Sequence, residues 1–206
     1  MVTTEFSSAE LRTAKYLHVG ATSHRGYPQP EDDFAYKRIT YDALDYCKHC
    51  GVGGRQVAPF RLRQAPQWGS KLIFQLNWVF DEFFVRPDVW SAIFEPLGIP
   101  CRSVVQNKTG AVLDSVVQLD ITELVDLELD GCEYEICSHC SRKKYLPFVR
   151  GYYPKPLQEI KGAAFKSNQW FGSGASAHKA VRISNELCRK ITTSKLKGLY
   201  FDACRP

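Results

Sequence analysis

Cys47-Lys-His-Cys50-Gly51 and Cys137-Ser-His-Cys140-Ser141 are two nearly identical tetrads in one chain of 206 residues, and their reading decides the fold. A C-x-x-C turn places two sulfurs on one side of a tetrahedron, and Zn²⁺ takes four such ligands at about 2.3 Å. One tetrad alone leaves a disulfide or a free thiol pair open. Two together read as a Cys₄ zinc site of Cys47, Cys50, Cys137 and Cys140, each tetrad expected to end a strand. Between Cys50 and Cys137 lie 86 residues, against about 15 to 20 in a contiguous zinc ribbon, so the element joins distant segments. Closing so long a loop costs entropy that grows only as its logarithm, and a metal that binds the folded state alone offsets it. With four thiolates available, His49 and His139 are expected as solvent-facing knuckle residues.

The other four cysteines, Cys101, Cys132, Cys188 and Cys204, stand alone and read as small buried hydrophobes. The first fifteen residues, MVTTEFSSAELRTAK, carry no apolar stretch behind a basic start, and no apolar run reaches the length of about 20 residues that crosses a bilayer. The expectation is a cytoplasmic chain that makes no membrane contact, where cysteines serve as thiols and metal ligands rather than disulfides.

With 44% apolar residues and 12 Phe, 10 Tyr and 4 Trp, the chain has ample material for a core, which excludes disorder as its main state. The length suits a single domain over residues 1–206. The formal charge of +5 is modest for a dedicated nucleic-acid binder, but its distribution is uneven. Eight acidic residues and no Lys or Arg occupy 114–135, whereas 166–206 hold eight basic residues against Glu186 and Asp202.

Around the tetrads, 20–33 and 51–70 are dense in Gly, Pro and polar residues and read as loops. The run 71–79 (KLIFQLNWV) and residues 82–85 read as strands. Pro87 opens a helix over 87–97, in which Trp90, Ile93, Phe94 and Leu97 share a face that ends before Gly98. Asn107–Gly110 is a turn between extended runs, and 111–130 reads as strand. There Val125, Leu127 and Leu129 alternate with Asp126, Glu128 and Asp130, an acidic outer face. Ser184 caps a helix that buries Leu187, Cys188 and Ile191, and a terminal strand follows over 196–201. The fold class is α+β, a mixed or antiparallel sheet with few helices and a zinc-knuckle, zinc-ribbon-like element.

No catalytic set emerges. His18, His24, His49, His139 and His178 are scattered, with no H-x-x-x-H and no paired carboxylate. C-x-H-C is shared with thiol oxidoreductases, yet Gly51-Val-Gly-Gly54 cannot continue the helix whose N-terminus would activate the thiol. The stretch 171–177 (FGSGASA) lacks the Lys-Ser/Thr of a phosphate loop and reads as a tight turn for close packing. Arg142-Lys-Lys-Tyr145 reads as a solvated rim beside the knuckle.

Together the two tetrads, Pro87-Asp-Val-Trp90, the stretch Gln169–Ala177 and the closing Ile183-Ser-Asn-Glu-Leu187 and Leu196-Lys-Gly-Leu-Tyr-Phe201 resemble the double-CxxCG family of bacterial immunity proteins, over residues 47–206. Ser141 stands where that pattern has its second Gly. The resemblance implies a non-enzymatic protein that binds and neutralises a cognate toxin delivered between bacterial cells. On that footing Asp126, Glu128 and Asp130 form the expected partner-binding row, suited to the basic groove of a nuclease toxin. The alternative is a zinc-ribbon nucleic-acid-binding protein.

Overall fold

The computed structural model describes residues 6–42, 44–148 and 151–206. Among these residues the strands form two sheets. In chain order the elements are α1 (Ser8–Thr13), β1 (Tyr16–Ala21), α2 (Tyr36–Thr40), β2 (Arg61–Leu62), β3 (Ile73–Leu76), β4 (Val79–Val85), α3 (Pro87–Val89), β5 (Cys101–Gln106), β6 (Val112–Leu119), β7 (Leu124–Val125), β8 (Tyr134–Ile136), β9 (Lys143–Tyr145), β10 (Ala164–Phe171), β11 (His178–Ser184), α4 (Asn185–Thr193) and β12 (Leu199–Ala203). The order β2-β5-β6-β4-β3 makes one sheet, and β12-β1-β11-β10-β9-β8 makes the other, with β7 also paired to β10. Both mix parallel and antiparallel pairs, so the fold is α+β with a mixed sheet and few helices. Among the described residues no helix is long and apolar enough to cross a membrane.

The main core lies between facing sides of the two sheets. Leu17 and Val19 of β1 and Val181 and Ile183 of β11 meet Ile73, Phe83 and Val85 of β3 and β4, and α4 adds Leu187, Cys188 and Ile191. A second cluster around Phe60, Phe74 and Phe84 covers the opposite side of the smaller sheet, and a third around Val125, Phe165 and Phe171 covers that of the larger. β3 and β4 are therefore apolar on both faces, which blurs their alternation into near-continuous apolar runs.

Several elements differ from the sequence expectation, each for a visible reason. The run 71–79 is not one strand: β3 ends at Leu76, Asn77 and Trp78 turn, and Leu76 pairs with Val79 at the start of β4. Trp78 takes the left-handed conformation (φ 67°) where a hairpin usually signals itself with Gly. The run 111–130 likewise breaks after Leu119, because β6 belongs to the smaller sheet and β7 to the larger. At the crossing, Asp120 pairs with Arg102 at 2.7 Å. The alternation survives the break: Val125 and Leu127 are buried, Leu129 packs on the same cluster, and Asp126 and Asp130 are exposed. Glu128 is half-buried. The terminal strand starts at Leu199, after Gly198 (φ 119°) has turned the chain.

Helix 87–97 is present but unevenly wound: α3 continues as a π-helical turn over Trp90–Phe94 and a 3₁₀ turn over Glu95–Leu97, stopped by Gly98 at φ 73°. Ser184 caps α4 as expected, its hydroxyl accepting from the Leu187 amide. The stretches 20–33 and 51–70 are not purely loop, since Gly20 and Ala21 lie in β1, Arg61 and Leu62 form β2, and Val52 and Phe60 are fully buried. Cys188 and Cys204 are buried hydrophobes, whereas Cys101 and Cys132 are partly exposed.

Candidate metal centre

Two knuckles of the same construction meet at the edge of the larger sheet. In the first, the Gly51 amide donates to the Cys47 carbonyl (2.8 Å) and the Cys47 amide to the Val52 carbonyl (2.9 Å). In the second, the Ser141 amide donates to the Cys137 carbonyl (2.9 Å) and the Cys137 amide to the Arg142 carbonyl (3.0 Å). Gly51 and Ser141 both sit in the left-handed region, at φ 69° and 59°, the conformation that reverses the chain after the second sulfur. The second tetrad is the tip of the β8–β9 hairpin. The first follows no strand, contrary to expectation: the chain reaches it after an isolated bridge between Tyr41 and Gln56.

The knuckles bring all four expected ligands together, their sulfurs within 4.8 Å of one another. Cys47 Sγ lies 3.9 Å from Cys137 Sγ, and Cys50 Sγ lies 3.7 Å from Cys140 Sγ. A regular tetrahedron with sulfurs about 2.3 Å from its centre has an edge of about 3.8 Å, so the donor set fits a zinc ion. The separations are far beyond the S–S bond of about 2.05 Å in a disulfide. Cys50, Val52, Cys137 and Ala177 form a buried cluster, with Trp170 packed against it.

Backbone amides prepare the first sulfur of each knuckle to be a thiolate. The Cys140 and His139 amides hold Cys137 down at about 6, and that of Cys50 acts the same way on Cys47. Burial pushes Cys50 up to about 12, a cost that a bound cation removes. Lys37 donates from Nζ to the Gly51 carbonyl at 2.8 Å, and its own burial holds it down at about 8.

The 171–177 stretch is the tight turn between β10 and β11, and its packing against the first knuckle is close: a Cβ on Gly51 would lie 2.5 Å from Ala175 Cα. Arg142, expected on a solvated rim, instead bridges the knuckles. Its Nη1 donates to the Val52 carbonyl at 3.1 Å and its Nη2 to Asp45. Lys144 is mostly buried and faces Glu135 at 3.7 Å, Tyr145 packs in the third cluster, and Lys143 lies exposed over the Tyr134 ring. His49 and His139 are exposed as expected, and their rings are stacked at 3.8 Å, a contact the sequence reading missed although both tetrads carry His at the same position.

Beside the centre a polar cleft of about 380 Å³ runs between the sheets, crossed by the buried pair Glu82–Lys166 at 2.5 Å. His18, His24 and His178, scattered in the sequence, line one cavity of about 280 Å³, where His18 lies half-buried against Arg182 and His24 and His178 pack on Phe80. Of the expected partner-binding row, Asp126 accepts from Gln169 Nε2 at 2.9 Å, while Asp130 is exposed in a turn. Compared with known protein families and with curated proteins, the chain matches no family model and no curated protein.

Proposed function

We propose that the chain is a non-enzymatic immunity protein, stapled by one structural zinc ion, that neutralises a protein toxin by covering its active site. One observation carries the structural half of this reading: four sulfurs at tetrahedral spacing, contributed by two matched knuckles. Four thiolates fill the coordination of zinc and leave no position for water or substrate, so the metal's work is to hold distant segments together. The toxin half rests on the sequence resemblance, and the acidic row supports it. Asp126 and Asp130 are exposed, and Glu128 beside them is half-buried. Carboxylates presented this way speed encounter with a basic groove.

The nucleic-acid alternative draws on Arg142, Lys143 and Lys144, but Arg142 is spent bridging the knuckles and Lys144 is largely buried. The cytoplasm, where thiolates persist, is the compartment that suits the reading. The experiment is binding and inhibition against the protein encoded beside this one. A complex that silences that protein's toxicity is expected, and failure to bind it contradicts the assignment. If the toxin is a nuclease, D126N/E128Q/D130N should slow association and weaken its salt dependence with the melting temperature nearly unchanged. An unaltered on-rate at low salt would place the contact on 142–153 instead, of which 149 and 150 lie outside the described residues.

A further inference from the structure

The four-sulfur centre needs no histidine, yet each tetrad carries one, two residues after its first cysteine. Because the knuckles are built alike and face each other, these equivalent positions converge. The His49 and His139 rings stack with centroids 3.8 Å apart and planes 23° apart, on the solvent side of the sulfurs. Both side chains are exposed, and their ring nitrogens and the Cys137 sulfur lie within 4.8 Å of one another.

We propose that His49, His139 and Cys137 form a second, outer site for a divalent transition-metal ion, with the Cys137 thiolate shared between the two metals. The proposal rests on the zinc reading of the inner site. Three features favour it. The donors are two imidazoles and a thiolate, a set suited to zinc, cobalt or copper and unsuited to calcium or magnesium. A zinc ion held by four thiolates keeps two negative charges in excess, which draws a further cation to its rim. Ser138 Oγ lies 3.2 Å from His139 Nδ1, a partner that orients the ring as outer-shell groups orient metal-binding histidines. Metal–nitrogen bonds of about 2.0 to 2.1 Å require the rings to turn from their stack. Exposed side chains make that turn about their own bonds without moving the knuckles.

The test uses the full chain without an affinity tag, loaded with one equivalent of zinc and titrated with Co²⁺, by calorimetry and by absorption. The wild type should take one equivalent of cobalt with sulfur-to-cobalt charge-transfer absorption while its zinc content stays constant. H49Q/H139Q should keep its zinc and melting temperature and bind that cobalt about a hundredfold more weakly. Equal cobalt binding by both proteins, cobalt that enters only as zinc leaves, or no cobalt uptake by the wild type would overturn the outer site alone. A chain that takes no first equivalent of zinc contradicts both the outer site and the structural-zinc reading.

Discussion

Arg142 Nη1 donates to the Val52 carbonyl at 3.1 Å, so the residue that closes the second knuckle grips the residue that closes the first. The same carbonyl accepts from the Cys47 amide, and Arg142's own carbonyl accepts from the Cys137 amide. One side chain therefore ties both sulfur turns together. Arg142→Ala should destabilise the chain by about 1–3 kcal/mol, the worth of hydrogen bonds from a charged donor, and hasten metal loss to a chelator. Arg142→Lys, which keeps charge without the planar fork, should recover only part of both effects. A melting curve and a chelation rate equal to wild type for Arg142→Ala would show that the bridge is idle.

Gly51 and Ser141 hold equivalent left-handed positions in different surroundings. A side chain in that region costs about 1–2 kcal/mol. Ser141→Gly should therefore stabilise by a few tenths to about 1 kcal/mol, raising the melting temperature by up to about 4 °C. Gly51→Ala should destabilise by more than about 1 kcal/mol, since its Cβ would also press on Ala175. Equal and small effects at both positions would contradict the packing of the 172–177 turn on the first knuckle.

What the sequence reveals follows from how local each signal is. The sulfur spacing, the Ser184 cap and the Pro87–Gly98 helix limits are decided within a few residues and can be read directly. Ser7 and Glu10 make an equally local capping box at α1, a signal present in the sequence and passed over. β10 and β11 are hidden because a polar residue such as Lys166 or Arg182 lies among their buried apolar ones, meeting Glu82 of β4 and His18 of β1, both remote in sequence. The Asn77-Trp78 turn escapes because its left-handed residue is an aromatic. Arg142 and the histidine stack depend on two knuckles 86 residues apart meeting in space, which no local pattern encodes.

His18 should make the fold acid-sensitive. Arg182 Nη1 and the Val181 carbonyl lie 2.7 and 3.1 Å from His18 Nδ1, and burial followed by the Arg182 charge holds the imidazole well below its usual 6.5. The depressed value means that the unfolded chain binds a proton which the folded chain refuses. Stability is complete above pH 6.5 and falls as pH drops below it toward the folded value, by about 1.4 kcal/mol per pH unit for this one group. His24 and His178, both lowered by burial, act in the same direction. Melting temperatures from pH 7.5 to 5.5 should decline, and less steeply in His18→Gln. Identical slopes for the two proteins would remove His18 from the account.

The central claim is that Cys47, Cys50, Cys137 and Cys140 hold one metal ion that stabilises the fold. The most direct measurement is elemental analysis of the purified chain and of Cys137→Ser, with thiol titration before and after chelation. The account predicts one zinc per wild-type chain, four thiols that become titratable only when it is removed, and loss of both zinc and thermal stability in Cys137→Ser. A wild-type chain with those four thiols freely titratable and no metal would contradict it.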